Sequence, residues 1–536
     1  MSFDPLYYPF RSQRMCMYAE RGMVATGHPL AAQAGLETLK RGGNAVDAAI
    51  ATAACLTVVE PTANGIGSDA FALVWADGAL HGLNASGPAP KSLNLETLTA
   101  QGLTEMPRFG LTPVTVPGAP SAWAALSARF GRLPLSTALA PAIEYAARGF
   151  PLSPTLARGW RGALTQDLRE LNAPVYQAYL DTFAPKGSPP AVGEMWRSPD
   201  HAKTLASIAE SNAESFYRGE LAERIGRFSR EHGGYIQAED LAAFYPEWVT
   251  PLAVNYRGFD VWELPPNGQG LVALQALNIL KGFEFAERDN VESYHRQIEA
   301  VKLAFADGLA HITDPRCMRA RVEDLLCAEY AAKRRSGIGN TALAPSEGLQ
   351  MKGGTVYLAT ADGEGNMVSY IQSNYMGFGA RVVVPGTGIS LQNRGHSFSL
   401  DPSHANVLAP GKRPFHTIIP GFLTHKGVAV GPFGIMGGHM QPQAHVQVLM
   451  NAIDFNLNPQ AALDAPRWQW VSGKTVQVEP GFPQHIAEAL ARRGHHIQRS
   501  VDSGGFGRGQ IIWRDGTTGV LCGGTEPRTD GHIALW

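Results

Sequence analysis

The chain has 536 residues, a formal net charge of -2 at neutral pH, and no long run of like charges. That balance gives no electrostatic footprint for a nucleic acid or an anionic membrane surface, so neither is expected as a partner. With 59 Gly and 37 Pro, the chain reads as a turn-rich globular protein of enzyme size, not a disordered or fibrous one.

The opening segment, MSFDPLYYPFRSQRMCMYAERG, has no apolar stretch of the secretory type. Five cysteines (Cys16, Cys55, Cys317, Cys327, Cys522) are scattered, odd in number and without a CxxC pair. A reducing compartment, the cytoplasm, is therefore expected. HPLAAQAGLETLKRGG predicts a first helix, with Pro29 in its first turn and Gly42-Gly43 at its end. Asn44 is placed to cap the next, the Ala-rich NAVDAAIATAACLTVVEP, which stops before Pro61. AFALVW-ADG-ALHGLNAS predicts a hairpin around Asp77-Gly78. Helical, Ala-rich segments fill roughly residues 119–230, and SYHRQIEAVKLAFADG sets Tyr294, Ile298, Val301 and Phe305 on one helical face. Residues 330–354 are polar and turn-rich, and read as an exposed connection. From about 353 onward short β-rich runs alternate with Gly-rich turns, followed by a helix at QPQAHVQVLMNAI. Hairpins and grouped helices point to a layered α+β fold. Residues 427–453 carry no Asp, Glu, Lys or Arg, but their Gly, Pro, Gln and His content argues against a membrane span.

The stretch that carries chemistry is MKGGTVYLATADGEGNMVSYIQSNYMGFG. TVYLATAD and NMVSYIQS are two strands around the loop 363–365. If Asp362 faces Asn366, then Thr355 faces Ser373, and two hydroxyls meet at the end that carries Gly353-Gly354. An internal threonine is a poor nucleophile, but a terminal one has its own α-amine as base, with an ordinary pKa of about 7.7–8.0. Cleavage between Gly354 and Thr355 would create that residue, and glycine before the bond leaves room for the hydroxyl to reach its own preceding carbonyl. The bland reading is a loop followed by an edge strand.

A collinear set of motifs decides between them. RGGNAVDAAIA, VVEPTANGIGSDAFALVW, LTPVTVPGAPSAW, GGYIQAEDLAAFYPEW, ELPPNGQG, EAVKLAFADG, PGKRPFHTIIP, GIMGGHMQPQAHVQVLMNAIDF, ALDAPRW and GGFGRGQIIW together resemble the gamma-glutamyltransferase family of self-processing N-terminal-nucleophile hydrolases. The resemblance covers nearly the whole chain. It implies a four-layer αββα sandwich and a precursor cut into a large subunit (1–354) and a small one (355–536) that stay associated. It also implies hydrolysis or acyl transfer through an acyl-enzyme, on a small-molecule γ-glutamyl or related amide, with water or an amine as acceptor, as in glutathione metabolism. It places the nucleophile at Thr355, the second catalytic hydroxyl at Ser373 and the oxyanion-binding glycines at Gly437 and Gly438.

The chain departs from the family where an amino-acid substrate would be gripped. Ser86 stands at the position of the arginine for the α-carboxylate, and Ser397 at that of the aspartate for the α-amino group. His416-Thr417 replace a serine pair, Tyr375 (beside Asn374) replaces an asparagine, and the lid loop is missing. These changes, with SNYMGFG, resemble the subgroup that includes cephalosporin acylases, whose glutaryl group has no α-amino group. Arg394 is then the candidate partner for the acyl carboxylate. An inactive, unprocessed ligand-binding relative is the alternative. His439, His445 and His495-His496 lack a metal-ligand spacing, and GFGARV and GGFGRG lack a βαβ context, so neither a metal nor another cofactor is expected.

Overall fold

The computed structural model describes residues 13–345 and 353–536. Two seven-stranded sheets, with antiparallel neighbours throughout, form its centre. The first runs in the order His532–Leu535, Gly22–Thr26, Gly354–Asp362, Met367–Tyr375, Asp69–Ala76, Ala79–Ala85, Glu247–Val249. The second runs Met17–Ala19, Leu521–Thr525, Arg508–Arg514, Val428–Met436, Gly421–His425, Phe259–Glu263, Leu252–Tyr256.

Side-chain alternation along each strand builds the layers. From Gly354–Asp362, Tyr357, Ala359 and Ala361 point between the sheets, where they meet Phe71, Ile371, Phe422 and Ile512. Val356 and Leu358 point the other way, into the helices. With both faces covered, all nine residues of the strand are buried. The helix Ala45–Val59, small-sided and buried at every position, packs on the first sheet. Helices Gly270–Leu280, Val291–His311 and Met440–Ile453 cover the second. The result is the expected αββα sandwich.

The local expectations hold in detail. Asn44 caps Ala45–Val59 in a reciprocal capping box with Asp47. Asp77 and Gly78 both take positive φ in the hairpin turn. Tyr294, Ile298, Val301 and Phe305 are all buried. The segment read as an exposed connection is in part a helix, Ala328–Ser336, whose Ala331 is buried; residues 346–352 of it lie outside the described residues. No helix among the described residues is long and apolar enough to cross a membrane.

Candidate active site

The hairpin Gly354–Asp362/Met367–Tyr375 keeps the expected register from Ala361↔Met367 to Val356↔Gln372, then slips by one between Val356 and Gly354, where Gly354 pairs with Tyr375. Thr355 sits in that irregularity, almost completely buried, and its hydroxyl donates to Ser373 Oγ at 3.0 Å. The Gly354–Thr355 bond is intact, and Ser373 donates in turn to its carbonyl, Gly354 O, at 2.7 Å. Ser373 Oγ also accepts from Tyr375 N at 2.8 Å and from Arg394 Nη2 at 3.3 Å.

The glycines here are required by close approach. A Cβ on Gly354 would stand 3.1 Å from Gly377 N, Gly377 Cα and Thr62 O; one on Gly353 would stand 3.1 Å from Gly438 N and Cα. The backbone of Gly437-Gly438 therefore lies against the segment that precedes Thr355. Both glycines have positive φ, at +145° and +61°, between the strand Val428–Met436 and the helix Met440–Ile453. Gln269 Nε2 holds the turn through Gly438 O at 2.9 Å.

Arg394 is fully buried, from the short helical turn Arg394–Ser397. Its Nη1 donates to Thr417 Oγ1 at 2.7 Å, its guanidinium lies 4.1 Å above the Tyr375 ring centroid, and its Nε has no hydrogen-bond partner. Asp69 is the nearby anion, with Oδ2 4.0 Å from Arg394 Nε. Asp69 opens the strand next to Met367–Tyr375 and pairs directly with Ser373. The same Oδ2 lies 2.9 Å from His416 Nε2. His416 Nδ1 accepts from Ile418 N at 3.4 Å, so Nε2 carries the proton and donates it to Asp69.

Burial dominates the electrostatics. It lifts Asp69 to about 7, against Arg394, the Gly87 N–H bond and Arg413, which favour the ionised form. It pulls Arg394 down to about 10, against Asp69 and Tyr375, so the guanidinium stays charged at neutral pH. Burial, and then the charge of Arg394, hold His416 well below the usual histidine range and keep it neutral.

The structure thus gathers Thr355, Ser373, Tyr375, Arg394, His416 and Thr417 around one point, with Gly437-Gly438 against the preceding segment. It does not bring Ser86 or Asn374 into that hydrogen-bonded group, and Ser397 joins it only through the Arg394 backbone carbonyl. Ser86 is buried against Asn84 and Asn267. Asn374 faces the loop before the Asp69 strand, through Ser68 at 2.8 Å. Ser397 donates to Arg394 O and Phe415 O, and lines a cavity of about 250 Å³ with Tyr375, His396, Phe398, Phe415 and His439. Sequence reasoning missed Asp69; the available signal was a lone carboxylate opening the otherwise apolar strand DAFALVWA, buried throughout except for the half-buried Trp75.

The histidines serve elsewhere. His445 is buried against Glu263 at 2.6 Å. His295, Glu299 and His495 bring possible metal-ligand atoms within 4.8 Å of one another. There the Lys302 ammonium already supplies a cation, 2.8 Å from Glu299 Oε1 and 2.9 Å from Leu343 O. His495 donates to His295 Nδ1, whose Nε2 donates to Gly339 O at 3.0 Å. The cluster is closed by its own hydrogen bonds and ties residues 339–343 to the turn before His496.

A buried threonine hydroxyl, a glycyl carbonyl, a second hydroxyl and a glycine turn thus meet at one main-chain junction. Residues 31–536 match the family described as Gamma-glutamyltranspeptidase, and the chain belongs to that family. It is 37% identical over 522 residues to the Glutathione hydrolase-like YwrD proenzyme of Bacillus subtilis, covering 95% of this chain and 97% of that one. It is 36% identical over 527 residues to the Oxamate amidohydrolase proenzyme of Klebsiella pneumoniae, covering 96% and 98%. Among solved structures, cephalosporin acylase from Bacillus halodurans superimposes with a TM-score of 0.98 at 65% identity, over 100% of this chain and 99% of that one. The chain is therefore an enzyme of a family whose relatives are named as hydrolases, acylases and proenzymes.

Proposed function

We propose that the chain cuts itself between Gly354 and Thr355 and then uses the freed threonine to hydrolyse amides whose acyl group carries a carboxylate. The observation that carries this reading is the contact set of Thr355: a hydroxyl 3.0 Å from Ser373, which reaches the Gly354 carbonyl at 2.7 Å. Once free, the Thr355 α-amine serves as base for its own hydroxyl. Ser373 orients the nucleophile, and the N–H groups of Gly437 and Gly438 receive the oxyanion, where glycine lets the backbone come close. The products are a large subunit of residues 1–354 and a small one of 355–536, held as one body.

The acyl preference rests on Arg394. It lies two hydrogen bonds from Thr355, of 3.0 Å and 3.3 Å, through Ser373 Oγ. Its Nε is unsatisfied, and its nearest anion is shared with His416. A carboxylate a few carbons from the scissile carbonyl completes it. An amino acid's α-amino group finds only Ser397 at the position where the family has an aspartate, which disfavours γ-glutamyl donors. Glutaryl-type donors, with their carboxylate a few carbons away, fit this site; one relative is named for oxamate, a much shorter carboxylated amide.

Intact-mass measurement should give fragments of 354 and 182 residues, and Thr355→Ala should remain a single chain. A wild-type protein that stays whole would point to the ligand-binding alternative. In mature enzyme, kcat/KM should favour a glutaryl over a γ-glutamyl anilide, and Arg394→Ala should erase the preference. A γ-glutamyl donor better by about 100-fold, about 2.7 kcal/mol, would refute the acyl assignment.

A further inference from the structure

Before the cut, Ser373 stands in an unusual hydrogen-bond position. Tyr375 N–H and the Arg394 guanidinium can only donate to it, and the Thr355 hydroxyl also points its proton at Ser373 Oγ. The single proton of Ser373 is therefore committed to Gly354 O, 2.7 Å away. Tyr375 N–H at 2.8 Å and the Thr355 hydroxyl at 3.0 Å fill the two lone pairs of Ser373 Oγ, which Arg394 Nη2 shares at 3.3 Å, and that oxygen polarises the carbonyl of the bond to be broken. Arg394 is the only charged group among them. Thr417 fixes its other nitrogen at 2.7 Å, and the Tyr375 ring supports its face.

Resting on the reading that the chain cuts itself before Thr355, we propose that Arg394, acting through Ser373, is a positioning residue for self-cleavage. In this step Thr355 Oγ attacks the Gly354 carbonyl carbon and a C–O bond forms. The Thr355 hydroxyl proton passes to Ser373 Oγ as the Ser373 proton passes to Gly354 O, leaving a neutral tetrahedral adduct. Its collapse breaks the C–N bond. The nitrogen keeps that electron pair and gains the adduct's hydroxyl proton, giving an ester and a free α-amine. Water then hydrolyses the ester to the Gly354 carboxylate and the Thr355 hydroxyl. Ser373 ends with as many protons as it began. Arg394 acts by holding the relay oxygen in place and stabilising negative charge as it develops there, a form of preorganised electrostatic assistance. One guanidinium thus serves twice, first in maturation and then in holding the acyl carboxylate.

The test follows the uncut fraction of freshly purified full chain with time, by denaturing gel and intact mass. Arg394→Gln should slow cleavage about 10- to 1000-fold, the range of one lost donor or proton-transfer partner. Arg394→Lys, which restores the charge, should recover at least a tenfold part of that loss. To separate assistance from misfolding, Thr355→Ala and Thr355→Ala/Arg394→Gln are melted side by side; equal melting temperatures are expected. Cleavage of Arg394→Gln at the wild-type rate would overturn the proposal, as would a lowered melting temperature without rescue by lysine. If Arg394→Gln matures normally but loses acyl selectivity, the proposal falls and the functional reading stands. Slow maturation with unchanged selectivity upholds the proposal and removes Arg394 from substrate binding.

Discussion

Replacing Asp69 by asparagine should tighten the binding of carboxylated donors and remove their pH dependence. Asp69 and an incoming carboxylate compete for the same guanidinium. At the 4.0 Å between Arg394 Nε and Asp69 Oδ2, two unit charges at an effective dielectric constant of about 20 interact by about 4 kcal/mol. That is the ceiling on what a donor gains when Asp69 is neutral. His416 donates to the same oxygen, Gly87 N–H to the other, and Arg413 adds its field, so Asp69 does not act on Arg394 alone. A change in KM of about 10- to 100-fold is therefore expected, about 1.4–2.7 kcal/mol. The sign follows from burial, which lifts Asp69 to about 7. Below that pH the carboxyl is protonated and Arg394 lacks its counter-ion; above it the ionised Asp69 reclaims the guanidinium. A glutaryl anilide stays ionised from about pH 5.5 to about 8.5, so its KM should rise as pH passes through 7. Asp69→Asn should hold the low-pH value throughout, and a donor with a carboxamide end should show neither effect. Equal, pH-independent KM values for the glutaryl donor in wild type and Asp69→Asn would refute the reasoning.

Ser373→Ala should fold, mature slowly, and in its matured fraction lose turnover by about 10- to 1000-fold, mainly in kcat; wild-type kinetics in that fraction would remove Ser373 from the mechanism. Gly354→Ala puts a Cβ 3.1 Å from three backbone atoms, a misfit of about 1–3 kcal/mol. It should leave precursor accumulating on a gel, and a variant that melts and matures like wild type would show the backbones free to part. Lys302→Met strands the fully buried Glu299 at a cost of about 3–5 kcal/mol, read as a lowered melting temperature. Adding Glu299→Gln should restore most of it, and an unshifted single variant would refute a stabilising role for the buried pair.

The hairpin around Thr355 was legible because its information is local. Alternation fixes the faces, the 363–365 loop fixes the register, and both give Thr355 a hydroxyl neighbour in Ser373. The slip beside Gly354 was not legible; there Gly377, just past the partner strand, and Thr62, just past helix Ala45–Val59, come close to the backbone of Gly354. Asp69 escaped notice because its partners, Ser373, Arg394 and His416, lie more than about 300 residues away in the chain and meet it only in the fold. Arg394 could be named as a cation near substrate, but its depth, and its contact with Ser373, belong to packing that no local pattern encodes. The same holds for the His295–His495 pair, invisible as a spacing because helix Val291–His311 and the turn before His496 bring it together.

The strand order of the two sheets has a kinetic consequence. Strands from before and after Thr355 are interleaved: Gly22–Thr26 lies between His532–Leu535 and Gly354–Asp362, and Met17–Ala19 pairs with Leu521–Thr525. An uncut chain assembles these pairs in a unimolecular reaction. Severed chains would have to find each other first, so recovery from denaturant becomes concentration-dependent. A chain severed before Thr355 would owe its persistence to the barrier against unzipping the sheets, because lost partners do not readily return. Cutting before folding would leave each fragment with unpaired strand edges, so the proposed self-cleavage belongs after the sheets have closed around Thr355.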